Sequence, residues 1–222
     1  MKNEPPRQQP RRPFRPPSRI SINPLLVLVA INALFFVATL IAPEGRYPWG
    51  EFREIIVDRV TYFLALIPYY VADRPWTLVT SIFIHADFLH ILFNMFALFI
   101  FGQTLRRFIG DNTFLLVFFA GGIVGNLLFW GINQDELIFA VGASGAVYAI
   151  AGALVVLVPR MRIALWGIIP MPLWVFVAIF LGILSIPGVA PSNVAWEAHL
   201  GGLATGLVFG YFFRRRLKFM IY

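Results

Sequence analysis

Long apolar runs separated by short charged segments make up most of this chain. Six such runs, here called spans 1 to 6, lie at about 25–42, 89–105, 113–132, 141–158, 163–184 and 198–213. A helix needs roughly 20 apolar residues to cross a bilayer, and shorter helices are tolerated where the bilayer thins. The chain is 59% hydrophobic and 13% charged, whereas soluble domains carry roughly 25% charged residues. The sequence therefore predicts an all-α polytopic membrane protein with six transmembrane helices.

The segments outside the spans divide the chain into three regions. Residues 1–19 are rich in Pro and Arg and lack the apolar content of a packed core, so we expect a disordered basic tail near the cytoplasmic head groups. Residues 20–216 form the predicted membrane domain, and residues 217–222 form a short cytoplasmic tail. Between spans 1 and 2, residues 43–84 carry mixed charge, and their short apolar stretch is interrupted by Pro68. We expect this segment to be an interfacial loop.

Basic residues collect on one side of the predicted membrane. With six spans and a cytoplasmic N-terminus, the inside segments hold 14 of the 18 Lys and Arg residues but two of the 11 acids. This bias satisfies the positive-inside rule and places both termini in the cytoplasm. The basic charge thus reflects topology, and no nucleic-acid partner is expected. The compact layout favours a prokaryotic plasma (inner) membrane. Location in an organellar membrane is the alternative, because an Arg-rich, acid-poor start also resembles a transit peptide.

Three spans carry polar side chains near their outer ends. At 1.5 Å per residue, Ser144 in span 4 and His199 in span 6 lie roughly 5–8 Å below the outer boundary. His90 and Asn94 are four residues apart and share one face of span 2, whereas His85 is expected at the interface. Ionisable residues inside spans are costly and usually functional. If these side chains converge, they supply a nucleophile, a base and two oxyanion donors.

Each of these residues also has a structural interpretation. Small residues such as those beside Ser144 are common where membrane helices touch, and Asn94 is a typical interhelical hydrogen-bonding residue. His199 at the start of a helix can simply hydrogen-bond at the interface. What these separate interpretations do not predict is the occurrence of all the polar residues at one depth.

Small residues predict that spans 4 and 6 pack closely. The two small faces consist of Gly202, Gly206 and Gly210 in span 6 and of Gly145, Ala149 and Ala153 in span 4. Such four-residue spacing lets two helix backbones approach each other. A Ser144–His199 hydrogen bond requires this approach. Tyr148 lies one turn below Ser144, where its ring can stack beside His199.

Together these motifs resemble the rhomboid family of intramembrane serine proteases. The resemblance covers about residues 76–213. It rests on His85 with His90-x-x-x-Asn94, on Gly142-Ala143-Ser144-Gly145 with Tyr148, and on Ala198-His199-Leu200-Gly201-Gly202. It implies a six-helix core and a catalytic Ser144–His199 dyad without an acidic partner. It also implies an oxyanion hole made by the Ser144 backbone N–H and the side chains of His90 and Asn94. The supporting residues would be Tyr148, Gly142, Gly145 and Gly202.

Two positions depart from the family pattern. Trp76 is followed by Thr77, where the family often has Arg, which puts Arg-dependent packing of the loop before span 2 in doubt. Arg106 stands near the end of span 2, where an acidic residue is common. Both family positions are supportive, so the implied catalytic residues are unaffected.

The expected function is cleavage of transmembrane segments near the outer face, without a cofactor or metal. The expected partners are the lipid bilayer and membrane-protein substrates, typically single-span proteins with helix-destabilising residues. Span 5 contains Pro170 and Pro172, which weaken a helix, so it is the predicted substrate gate. The loop at 185–196 is either a mobile cap or a simple connection. Two alternatives are a catalytically inactive rhomboid-like protein that binds transmembrane clients and a small transporter.

Overall fold

The computed structural model describes residues 23–165, 169–183, 186 and 194–221. Its helices are α1 (Pro24–Ile41), α2 (Arg59–Leu64), α3 (Thr77–Thr80), α4 (Phe88–Ile109), α5 (Asp111–Ile132), α6 (Ser144–Leu157), α7 (Leu173–Phe176) and α8 (Trp196–Ile221). Its strands are β1 (Glu44–Pro48), β2 (Glu54–Asp58), β3 (Arg162–Leu165) and β4 (Ile169–Pro172). The fold is mostly helical, with two antiparallel hairpins that the all-α prediction did not include.

Five of the six predicted spans coincide with helices, namely α1, α4, α5, α6 and α8. Among the described residues, α1, α4 and α5 are long and apolar enough to cross a membrane, judged by length and composition. The α6 helix is apolar but has 14 residues. These features support an integral membrane protein, but the predicted count of six spanning helices is not confirmed.

The first half of predicted span 5 is a hairpin. Strands β3 and β4 pair in an antiparallel register that sets Arg162 opposite Pro172 and Ala164 opposite Pro170. Helical structure begins only at Leu173, with α7 followed by a π-helical turn at Val177–Gly182. Proline lacks an N–H and drives its preceding residue toward extended backbone. The prediction of a helix is therefore wrong over 163–165 and 169–172, because the prolines stop a helix there instead of kinking one.

An aromatic cluster around one arginine organises the loop between α1 and α4. The guanidinium carbon of Arg74 lies 4.3 Å, 5.2 Å and 4.7 Å from the ring centroids of Tyr62, Phe63 and Tyr70. Its Nη1 also donates to Tyr62 O at 3.0 Å. Thr77 is buried, and its hydroxyl donates to Arg74 O. Arg74 thus provides the loop packing that Thr77 had put in doubt. No helix in this described segment is long enough to span, and its interfacial position stays a prediction.

Arg106, the second departure from the family pattern, has hydrogen-bond partners in two neighbouring segments. The Arg106 Nε donates to Asp111 Oδ1 at 2.8 Å, and its Nη1 donates to Asn23 Oδ1 at 2.5 Å. This side chain therefore ties the end of α4 to the starts of α5 and α1.

Helix α6 forms the centre of the bundle, between α4, α5 and α8. Every residue from Gly145 to Leu154 is buried, as expected for a helix that is apolar on all sides. The predicted contact with α8 is confirmed at three levels. A Cβ added at Gly202 would overlap Gly145 O, one at Gly206 would overlap Ala149 O, and one at Gly210 would lie 2.8 Å from Ala153 O.

Some of the predicted segments lie wholly or partly outside the described residues. The predicted tail at 1–19 lies outside the described residues, as does the predicted cap at 185–196 apart from residues 186 and 194–196. The backbone of α8 continues to Ile221, past the predicted start of the C-terminal tail at 217.

Candidate active site

A glycine turn places Ser144 at the first residue of α6. Gly142 has φ +113°, a conformation that L-residues rarely adopt, and its N–H donates to Ser81 O at 2.9 Å. The helix therefore starts at Ser144, three residues after the predicted start of span 4 at about 141. The first N–H groups of a helix have no acceptor within the helix and carry partial positive charge. The backbone at Ser144 is thus suited to stabilise an anion.

Ser144 and His199 are in direct contact. The Nε2 atom of His199 lies 2.9 Å from Ser144 Oγ. His199 is 8% exposed, and the Tyr148 ring stacks on it with centroids 4.1 Å apart and planes 14° apart. The predicted meeting of the two side chains and the predicted stacking of Tyr148 are both confirmed. Because the stacked ring restricts the imidazole plane, Nε2 is held toward the hydroxyl.

Close packing of α6 on α8 explains why these two residues meet. Gly145 follows Ser144, and Gly202 lies one turn after His199. The backbones touch at these glycines, where any side chain on Gly202 would collide with Gly145. A Cβ on Gly145 would also lie 3.2 Å from Ala198 O. The two glycines therefore set the distance between the helices at the level of the serine and histidine.

His90 and Asn94 reach the turn that precedes Ser144. A Cβ on Gly142 would lie 2.7 Å from both Cε1 and Nε2 of His90 and 3.8 Å from Asn94 Nδ2. Asn94 is 6% exposed, and its Nδ2 donates to His90 O at 2.9 Å. The shared face predicted for this pair is therefore directed at the start of α6.

His85 is buried inside the protein, and its position at the membrane interface stays a prediction. It is 3% exposed, and its Nδ1 lies 3.3 Å from Phe83 O. Its Nε2 accepts from the Ala143 N–H at 3.5 Å. Burial, followed by the nearby His90, lowers the pKa of His85 to about 4. The ring is therefore neutral at pH 7, and these contacts favour the tautomer with its proton on Nδ1.

Sequence reasoning missed a second support for the turn. Asn126 Nδ2 donates to Ser81 Oγ at 2.9 Å and to Leu78 O at 2.8 Å, and Ser81 O in turn accepts the Gly142 N–H. The signal was available, because Asn126 is a lone amide in the middle of the apolar run of span 3. An amide in that setting usually bonds to a neighbouring helix.

A cavity of about 560 Å³ opens beside the site, between α1, β2 and the start of α4. Its lining includes Phe36, Val57, Phe88 and Val141, together with His85. This cavity is mostly apolar and reaches the site through His85. Within the described residues, no group of three or more His, Asp or Glu side chains is placed to hold a metal.

The fold and the site together define a class: a helical integral membrane protein that holds a serine hydroxyl against a buried histidine. Residues 72–216 match the family model described as the Rhomboid domain. The chain therefore belongs to the rhomboid family, as its motifs indicate.

Several curated proteins are similar to the chain. The putative rhomboid protease YdcA of Bacillus subtilis (strain 168) is 33% identical over 136 residues, which is 61% of this chain and 66% of YdcA. The rhomboid protease GluP of the same organism is 33% identical, over 59% of this chain and 24% of GluP. The mitochondrial RHOMBOID-like protein 12 of Arabidopsis thaliana is 32% identical, over 83% of this chain and 56% of that relative. The chain thus spans less than two thirds of the length of each.

Proposed function

We propose that this chain is an intramembrane serine endopeptidase in which Ser144 and His199 form a catalytic dyad. The observation that carries the proposal is the 2.9 Å contact between His199 Nε2 and Ser144 Oγ at the end of a buried helix. Membership of a family with protease-named relatives supports it. A histidine that only capped a helix would not need to meet a serine hydroxyl on another helix.

The proposed reaction has two halves that share one base. Ser144 Oγ attacks the scissile carbonyl carbon while His199 Nε2 takes the hydroxyl proton. The same proton passes to the leaving nitrogen as the C–N bond breaks, which leaves an ester on Ser144. Water then gives a proton to His199 and attacks the ester. When the tetrahedral intermediate collapses, the proton returns to Ser144 Oγ and the peptide acid is released.

The oxyanion of each tetrahedral intermediate would have donors from two helices. The Ser144 N–H lies at the N-terminus of α6, where helix donors are unpaired within the helix. An amide carries two N–H groups. One N–H of Asn94 donates to His90 O, and the other is the proposed oxyanion donor. The His90 side chain, set against Gly142, is the third donor. Tyr148, Gly142, Gly145 and Gly202 hold these groups in position.

The proposed substrates are transmembrane segments of other proteins, typically single-span, cut near the outer face. A peptide bond inside a helix is shielded, so a substrate has to unwind first, and helix-breaking residues favour this step. The proposed gate is the helical segment 173–182. It contacts α4 through Phe176 and Phe101, whose ring centroids lie 6.0 Å apart. It includes the π-helical turn Val177–Gly182, a rare geometry that is frequent at functional sites.

The proposed location is the plasma (inner) membrane of a prokaryote, with both termini in the cytoplasm. The positive-inside bias supports this orientation, and two relatives are proteins of Bacillus subtilis. The mitochondrial relative shows that the family also occurs in organelles.

The test is cleavage by purified protein in liposomes. The substrate would be a single-span protein with Gly and Pro near its outer boundary, and its matched control would carry Leu at those positions. We expect wild type to cut the first substrate faster, and Ser144→Ala and His199→Ala to cut neither. The proposal fails if Ser144→Ala cuts as fast as wild type. It also fails if wild type cuts none of several such substrates, which is the outcome for an inactive client-binding protein.

A further inference from the structure

A second cavity lies at the end of the bundle opposite Ser144. Its volume is about 670 Å³, within the range of about 300–1,000 Å³ of small-ligand sites. It is bounded by the last turns of α4, by the turn after α6 and by the second half of α8. His90 and Arg107 are 17 residues apart in α4, so at 1.5 Å per residue the cavity lies about 25 Å from His90 along the helix. That distance is close to the hydrocarbon thickness of about 30 Å, so we expect the cavity at the other membrane interface.

Each of the three bounding elements contributes one arginine to the cavity. These are Arg107 from α4, Arg160 from the turn and Arg214 from α8. Among the described side chains, the one ion pair joins Arg106 to Asp111 and includes none of the three. All three side chains are exposed, and three positive charges that line one cavity attract an anion to it. Guanidinium groups bind phosphate oxygens in bidentate fashion, so the arrangement suits a phosphate group.

The remaining wall of the cavity is mostly apolar. Phe108, Val158, Pro159 and Met161 line it next to the arginines, and Phe108 is 44% exposed. A small inorganic anion gains no binding energy from contact with such an apolar wall. A ligand with an anionic head and a hydrocarbon body would satisfy both halves of the cavity, since burying apolar surface is favourable.

We propose that this cavity binds an anionic phospholipid, with its phosphate between Arg107, Arg160 and Arg214 and an acyl chain along Phe108, Val158 and Met161. Basic pockets between transmembrane helices at the cytoplasmic side bind lipid head groups of this kind. The site lies on the opposite side of the bundle from the serine and does not depend on the proposed proteolysis. Its occupant would join α4, α6 and α8 at their inner ends.

The test is binding of phosphatidylglycerol to the purified full-length protein in detergent, with native mass spectrometry reporting the affinity of the first bound lipid. The pocket variant combines Arg107→Gln, Arg160→Gln and Arg214→Gln. The matched control combines Arg46→Gln, Arg53→Gln and Arg59→Gln, which removes the same charge from exposed positions at the other end. We expect the pocket variant to lose about 100-fold in affinity, since each basic residue contributes about fivefold. The control should change little.

Three further arms make the test decisive. Thr104→Trp fills the cavity while keeping every arginine, and we expect a comparable loss of lipid, which does not depend on a change of charge. Phosphatidylcholine should bind wild type no better than phosphatidylglycerol binds the pocket variant. Inorganic phosphate should compete poorly. The proposal is overturned if both arginine variants lose affinity equally, if phosphatidylcholine binds as well, or if inorganic phosphate alone displaces the lipid at equal concentration.

Discussion

At the scale of single residues, the site is built around the turn at Gly142. The positive φ of Gly142 requires glycine, and a Cβ there would collide with the His90 ring. The next residue, Ala143, donates its N–H to His85, and Ser144 follows as the start of α6. Each polar group of the site therefore contacts this turn or the helix it begins. Small errors in the turn would displace the nucleophile and its donors together.

Replacing Asn94 by Ala should lower kcat/KM by about 10²–10³-fold, the usual effect of removing one oxyanion donor. The fold should survive, because only one hydrogen bond to His90 O is lost. The measurement is steady-state cleavage in liposomes, beside thermal unfolding. Asn32→Ala is the matched control: Asn32 is also buried and also donates to the carbonyl four residues earlier, but it lies in α1. Equal losses of activity in both variants would show that Asn94 is not an oxyanion donor.

The low pKa of His85 predicts that stability falls in acid. Its pKa is about 4 in the folded protein and about 6.5 in the unfolded chain. Between these values the unfolded chain binds the proton and the folded protein does not, so stability drops as pH falls from 6.5 toward 4. At pH 5 the loss is about 2 kcal/mol relative to pH 8. His85→Gln lacks the titrating group, so its unfolding temperature should fall less between pH 8 and pH 5. Identical falls in both proteins contradict the prediction.

At the scale of elements, the contact between α6 and α8 determines whether the dyad can form. Adding one methyl group at Gly206 would bring it into Ala149 O, and such overpacking costs about 1–3 kcal/mol. We expect Gly206→Ala to lower the unfolding temperature and to reduce cleavage. Gly131→Ala in α5 is the control, because a Cβ there meets nothing within 4 Å. That change should be neutral or stabilising through helix propensity, by up to about 1 kcal/mol. If both variants unfold at the wild-type temperature, the two helices do not depend on the glycines.

The sequence predicts the elements whose signal is periodic and local. Four-residue spacing of small residues gives the α6–α8 contact, and level placement of Ser144 and His199 gives their meeting. Span 5 was misjudged because a proline indicates both a kink and a helix stop, and local sequence does not separate the two. The Arg74 cluster was not predicted, since its contacts join residues of the loop that are brought together only by folding.

At the scale of the whole molecule, the two ends of the bundle differ in chemistry. The serine, the histidines and Asn94 occupy one end, and the arginine-lined cavity occupies the other. A membrane protein with this charge asymmetry should have one fixed orientation, with the basic end in the cytoplasm. The proposed proteolysis and the proposed lipid binding would then take place at opposite membrane surfaces.

The orientation can be tested directly because the chain contains no cysteine. Phe52, at the tip of the first hairpin, is 93% exposed, and Arg160 is exposed at the basic end. In intact cells, a membrane-impermeant maleimide should label Phe52→Cys and leave Arg160→Cys unlabelled until the membrane is opened. The reverse pattern would show that the site faces the cytoplasm.

The central claim is that His199 activates the hydroxyl of Ser144, and covalent labelling tests it most directly. A serine-directed fluorophosphonate should add one probe to wild type in liposomes, and peptide mass spectrometry should place it on Ser144. Ser144→Ala and His199→Ala should remain unlabelled, as should heat-denatured wild type. Labelling of His199→Ala at the wild-type rate, or no labelling of wild type by probes of any size, would contradict the dyad.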